Sequence, residues 1–112
     1  MQTSILDAFT AIDIRAGTIV SAEPFPEARK PAYKLTIDFG VELGQKRSSA
    51  QLTAHYTPDE LSRKQIVAVV NFPPKRIAGF QSEVLVLGVP DENGETVLLT
   101  PEFAVPNGVR VY

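Results

Sequence analysis

The chain has 112 residues, 44% of them hydrophobic and 21% charged, with a formal net charge of -2 and no cysteine. That length favours a single domain, residues 1–112, with a modest core, and the balance is that of a folded chain, not a disordered one. Lack of cysteine excludes a disulfide framework, a thiolate zinc site and a cysteine nucleophile. The N-terminal MQTSILDAFTAIDIR has no basic leader or long apolar core, and no apolar run reaches bilayer-spanning length. The chain is therefore expected to be soluble and cytoplasmic, with no membrane insertion.

In chain order, residues 4–10 (SILDAFT) read as a short helix capped by Ser4, with Ile5, Leu6 and Phe9 on one side. IDIRAGTIVSAEPF then alternates as a long strand, interrupted at Gly17, where a bend or bulge is expected. Pro24, Pro26 and Pro31 make residues 24–32 a turn region. YKLTIDF, residues 33–39, is the clearest alternating strand, with Tyr33, Leu35, Ile37 and Phe39 on one face. A turn between Gly40 and Gly44 leads into a polar strand at 45–52. Thr57-Pro58-Asp59-Glu60 is a capping box with proline at the first helical position, so a short helix starts there. Residues 65–70 read as a buried strand and 84–89 as another β run. Asn93-Gly94 turns the chain for a hairpin with 96–100, and Val109 to Tyr112 forms an edge or closing strand.

Those elements give an all-β fold of about five core strands, with a short helix between the third and fourth and short terminal additions. A small oligonucleotide/oligosaccharide-binding (OB) barrel fits that order, and a small β-sandwich or another barrel fits the pattern too.

The signatures of the common enzymes are missing. There is no Gly-rich phosphate loop, no H-E-x-x-H and no G-x-S-x-G, and the single histidine, His55, has no cysteine partners for zinc. No catalytic residue, metal or cofactor is expected. The charges, by contrast, are unevenly placed. Residues 15–82 carry ten Lys or Arg against six Asp or Glu, while residues 83–112 carry Arg110 against five acids. A local positive field can form on a chain of negative total charge. The candidate cations are Arg15, Arg29, Lys30, Lys34, Lys46, Arg47, Lys75 and Arg76. Cations suit phosphate oxygens, and aromatic planes suit unpaired bases or apolar peptide. In NFPPKRIAGFQSEVLVLG, residues 71–88, two prolines stiffen a corner beside Lys75 and Arg76, and Gly79 lets the chain turn back.

Several motifs together carry a resemblance: D-I-R-x-G-x-I-V near the start, F-P-E-A-R, S-S-A-Q-L-T…Y-T-P-x-E-L, the 71–88 block and the closing V-P-N-G. The chain resembles the tRNA-binding domain family, which occurs as free-standing bacterial proteins and as an appendage of some aminoacyl-tRNA synthetases. It lies nearest the CsaA-like branch of export-related chaperones. Phe25 stands where appended domains carry a histidine, and R-S-S-A-Q-L lacks their glycine. The resemblance implies a homodimer of OB barrels that binds tRNA and, in this branch, acts as a chaperone for unfolded or precursor polypeptides. A secretion chaperone with incidental RNA binding and a non-catalytic structural adaptor are the alternatives. The expected RNA-binding residues are Arg15, Lys46, Arg47, Asn71, Lys75, Arg76 and Ser82. Asp13 and Glu83 are expected to order the site or a subunit contact. Phe25, Phe72 and Phe80 are the expected polypeptide-binding aromatics.

Overall fold

The computed structural model describes residues 4–112. Ser4 caps helix α1 (Ile5–Ala11) by accepting from the Asp7 N–H at 3.0 Å. Strands β1 (Ile14–Pro24) and β2 (Tyr33–Asp38) follow, then one helical turn, α2 (Gly40–Leu43), and β3 (Gln45–Ala50). Helix α3 (Pro58–Leu61) has both arms of its capping box, with Thr57 Oγ1 accepting from Glu60 N–H and the Glu60 carboxylate accepting from Thr57 N–H. Strand β4 (Gln65–Val69) precedes a hairpin of β5 (Lys75–Ile77) and β6 (Phe80–Ser82). Strands β7 (Leu85–Val86), β8 (Gly88–Pro90) and β9 (Thr96–Leu98) complete the set.

The main sheet has the order β3-β2-β1-β4-β7, all antiparallel, and curls into a nearly closed five-stranded barrel with α3 between its third and fourth strands. That is an OB-like barrel. Its core comes from the inward half of each alternating strand: Ile19, Leu35, Ile37, Ile66 and Ala68, with Leu61 of α3 plugging one end and Phe39 and Leu52 filling the ends of strands. Burying each such aliphatic side chain contributes on the order of 1.5–3 kcal/mol before conformational entropy is charged against it.

Two expectations change, one in β1 and one after β2. Its bulge lies at Val20, where the register with β2 slips between Ile19 and Ser21, and not at Gly17. Gly17 is glycine for a different reason: a Cβ there would stand 2.7 Å from the Phe39 ring. The expected turn at 40–44 is a helical turn held by a hydrogen bond from Gly44 N–H to Gly40 O at 2.7 Å. The chain after Asn107 runs beside the first half of β1. Gly108 N–H donates to Ala16 O, Ala16 N–H to Val109 O and Val111 N–H to Ile14 O, so the last segment does close an edge.

The β5–β6 hairpin was not foreseen as strands. Its two-residue turn is Ala78-Gly79, both with positive φ (46° and 81°), the combination that a tight hairpin turn of matching twist requires. Proline-proline ahead of it disguised the pattern, because β5 is only three residues long and its alternation is too brief to read.

Candidate nucleic-acid interface

OB barrels bind ligands across their second and third strands, between the loop joining the first two strands and the loop joining the last two. Here the first loop is residues 25–32 and the second contains the β5–β6 hairpin. The hairpin leans onto the first loop. Phe80 meets Phe25 edge to face, centroids 5.4 Å apart, and both are buried with Ala32 in a small core of their own. Outward-facing side chains of β2 and β3 complete this clasp: Lys34 Nζ lies 4.8 Å from the Phe25 centroid, and the Arg47 guanidinium 4.6 Å from that of Phe80. Part of the usual ligand face is thereby covered, and open surface is displaced to the flanks of the hairpin.

On one flank the two loops enclose a groove of about 950 Å³. Arg29 and Lys30 line it from the first loop and Lys75 and Arg76 from the hairpin, over a floor that includes Ser49 and Gln51. All four cations are exposed, none has an ion-pair partner among the described residues, and no carboxylate lines the groove. Four positive charges on the lining of one groove without a counter-charge attract an anion of extended shape. On the other flank a cavity of about 430 Å³ has Phe72, Pro73, Val84, Leu85 and Val86 on its walls beside the polar Ser49, Gln51, Ser82 and Glu83. The two share Ser49, Gln51, Lys75 and Ile77, so they form one continuous surface.

Lys75 and Arg76 both line the groove, although as neighbours on β5 their side chains leave opposite faces of the strand. The other expected RNA contacts do not join them. Arg15 is held by Asp13, Nε to Oδ1 2.6 Å, and donates its Nη1 to Gly108 O at 2.9 Å, so it fastens the C-terminal segment. Its guanidinium draws the Asp13 carboxyl below the ordinary value of 3.8, assisted by Arg110, and Asp13 raises Arg15 in return. Asn71 accepts from Asp13 N–H and donates to Ala11 O, which ties the end of β4 to α1. Ser82 accepts from Ser49 N–H at 3.0 Å and is nearly buried. Lys46 and Arg47, adjacent on a strand, point to opposite faces, and Arg47 is spent on Phe80 and on Glu23 at 3.3 Å.

Glu83 has a specific task. Its carboxylate accepts from Arg47 N–H at 3.0 Å, and its own N–H donates to Arg47 O at 2.8 Å. With Ser82 on Ser49, it closes the barrel along β3 where no strand ladder exists. Among the three aromatics, Phe25 and Phe80 are 3% and 7% exposed and offer no open face, whereas Phe72 is 43% exposed on the wall of that second cavity. His55 pairs with Asp91, Nε2 to Oδ2 2.6 Å, and thereby links the loop before α3 to the β8–β9 turn.

Arg29 and Lys30 stood in the broad cationic set but not in the narrower RNA-binding group. They lie in a proline-rich turn with no periodicity to orient them, and only the rule about which OB loops meet at the ligand face could have promoted them. Gln51 and Ser49 gave no signal of their own. The V-P-N-G motif turns out to be architectural: Asn107 Oδ1 accepts from Thr18 and Gln65, and a Cβ at Gly108 would lie 2.5 Å from Phe39 O.

Comparison with known proteins agrees with this geometry. The family model described as "Putative tRNA binding domain" matches residues 14–110. Chaperone CsaA of Bacillus anthracis is 55% identical, with TM-score 0.92 over 99% of this chain and 100% of that one. The CsaA chaperone protein of Picrophilus torridus is 52% identical, with TM-score 0.90 over 98% and 100%. The methionine–tRNA ligase of Methanococcus aeolicus is 38% identical over 111 residues, 99% of this chain but 16% of that enzyme. That of Porphyromonas gingivalis is 34% identical over 103 residues, 92% of this chain and 15% of that one. The chain thus spans about one sixth of those ligases.

Proposed function

The chain belongs to the tRNA-binding domain family, in its CsaA-like branch, and on that premise we propose that it binds tRNA through the groove between residues 25–32 and the β5–β6 hairpin. The observation that carries this is the four unpaired cations, Arg29, Lys30, Lys75 and Arg76, lining one groove with no carboxylate among them. They take backbone phosphates, which carry no sequence, so tRNA shape is recognised more than any one base order. The work is binding, not catalysis, and is placed in the cytoplasm, where tRNA resides. A titration of tRNA against the wild type and Lys75→Ala/Arg76→Ala tests it. Affinity should fall about tenfold or more in the variant with an unchanged melting profile. Equal affinity would remove the groove from the site.

A homodimer is part of the proposal. Helix α1 buries none of its side chains within the chain; Ile5 and Leu6 are 89% and 73% exposed. Polar ties from Asn71 and Arg110 nevertheless hold it in place, and a fixed apolar face suits a second copy. Sedimentation of Ile5→Lys/Leu6→Lys beside the wild type checks this: the wild type should run as a dimer and the variant as a monomer.

A polypeptide-holding chaperone activity, independent of ATP, is supported by the cavity walled by Phe72, Val84, Leu85 and Val86 beside the cations and by the names of the two CsaA chaperone structures cited above. Suppression of aggregation of a denatured client without nucleotide is the expected result.

A further inference from the structure

The polar groups at the seam along β3 are matched to each other. Ser82 Oγ accepts from Ser49 N–H, and the Glu83 carboxylate accepts from Arg47 N–H. Beside them, Ser49 and Gln51 keep unused side-chain capacity. Ser49 enters the seam through its backbone, N–H to Ser82 and O to Ser48 Oγ, and its own Oγ has no partner among the described residues. It stands opposite Lys34 in the ladder, and Lys34 lies over Phe25 on the ligand face, so Ser49 faces outward as well. The Gln51 amide, exposed just past the end of β3, also makes no hydrogen bond among the described residues. Ser49, Gln51 and Lys75 line both the groove of four cations and the cavity of about 430 Å³. Phe72, 43% exposed, is the one aromatic on the lining of that cavity.

The occupant is set by this combination. An aromatic and aliphatic wall meets a free amide and a free hydroxyl, and a cation stands at the opening into a groove that suits phosphates. An apolar peptide segment placed there would leave the amide and hydroxyl without partners. A nucleobase is apolar on its faces and polar along its edge, and its phosphate is one sugar away. We infer that the cavity takes the base of an unpaired RNA nucleotide, stacked on Phe72 with its edge toward Gln51 and Ser49, while Lys75 holds the adjoining phosphate. The adjacent donor and acceptor of the Gln51 amide match the donor–acceptor pair that an unpaired base presents. A base inside a duplex has its faces and pairing edge already occupied, so the part of tRNA that reaches this cavity is a loop or a chain end and not a stem. The inference rests on the proposed tRNA groove and names the class of nucleotide it takes.

The test uses the full chain and three fluorescent RNA probes read by anisotropy: a short single strand, the same strand annealed to its complement, and a strand of equal length without bases. The intact single strand should bind about tenfold more tightly than the abasic strand, which carries the same phosphates. The duplex should be weaker than the intact strand as well. Phe72→Leu keeps the position apolar but removes the ring. It should weaken the intact strand by about tenfold, leave the abasic strand unchanged and keep the slope against salt, since no charge is lost. Phe72→Trp should bind as the wild type does. Gln51→Leu should weaken the intact strand by about threefold or more, again without effect on the abasic one. Equal binding of intact and abasic strands, a duplex as tight as the single strand, or a Phe72→Leu as tight as wild type would overturn the inference. A Phe72→Leu that binds RNA normally but no longer suppresses luciferase aggregation would also overturn it and give the cavity to polypeptide. Whole tRNA titrated against Lys75→Ala/Arg76→Ala separates the two levels. If that variant loses tRNA while the base-dependent results fail, this inference falls and the groove stands. If it keeps the wild-type affinity, both fall.

Discussion

The two ends of the β1–β4 region use charged and amide side chains in opposite ways. At one end Asp13, Arg15, Asn71 and Arg110 are consumed by each other and by backbone groups, and together they hold α1 and the C-terminal segment to the barrel. At the other end Arg29, Lys30, Lys75 and Arg76 stand exposed with no partner among the described residues. Both sets look equally like ligand contacts when written as letters. The difference is in hydrogen-bond accounting: a side chain whose donors are already matched to carbonyls and a carboxylate has little left for phosphate.

The contrast can be broken most severely at the clasp between the ends. Phe80→Ala should lose about 3–5 kcal/mol in denaturant unfolding, as expected for a buried aromatic, whereas Phe72→Ala should lose less than about 1 kcal/mol. Similar values for the two would mean that Phe80 is not a core residue. Next in size is Glu83→Ala, which leaves the Arg47 N–H without its acceptor near the seam. A loss of about 1–3 kcal/mol is expected, with Glu83→Gln recovering most of it because the amide oxygen still accepts. A Glu83→Ala as stable as wild type would show that the barrel closes without it.

The barrel was legible because alternation in YKLTIDF, the run at 65–70 and the capping box at Thr57 each agree with the fold that tertiary contacts select. Hairpin β5–β6 was not, since three-residue strands leave no period. The site was half legible. Lys75 and Arg76 were singled out from a corner stiffened by two prolines, and both line the candidate groove. The tying roles of Arg15, Asn71 and Ser82 depend on partners 93, 60 and 33 residues away, and no local pattern encodes those pairings. Phe25 and Phe80 failed as open aromatics for the same reason: each hides the other from 55 residues' distance in the chain.

Smaller effects sharpen the comparison further. Arg29→Ala/Lys30→Ala should weaken tRNA binding by about tenfold, and Lys46→Ala by less than about threefold, although all three are surface cations. Of these two ends, acid should act on the tied one. The Asp13 carboxyl sits below its ordinary 3.8 because Arg15 hydrogen-bonds it, with Arg110 nearby. A lowered folded-state value stabilises fully above the unfolded value and is lost as pH falls through the folded one. The stability gap between wild type and Asp13→Asn should thus be constant above about pH 5 and shrink below about pH 4, by no more than about 1 kcal/mol for a half-buried surface pair. A gap that persists to lower pH would mean that the charge of Asp13 contributes nothing.

The most direct measurement is the slope of tRNA affinity against salt, on logarithmic axes, for the wild type, for Lys46→Ala and for the variant with Arg29, Lys30, Lys75 and Arg76 all changed to Ala. Each phosphate contact contributes roughly 0.7–0.9 to that slope. The quadruple variant should therefore be shallower than wild type by about 3 units, with Lys46→Ala nearly parallel to it. A quadruple variant that keeps the wild-type slope, or a Lys46→Ala that loses as much, would place tRNA somewhere other than the groove between residues 25–32 and the β5–β6 hairpin.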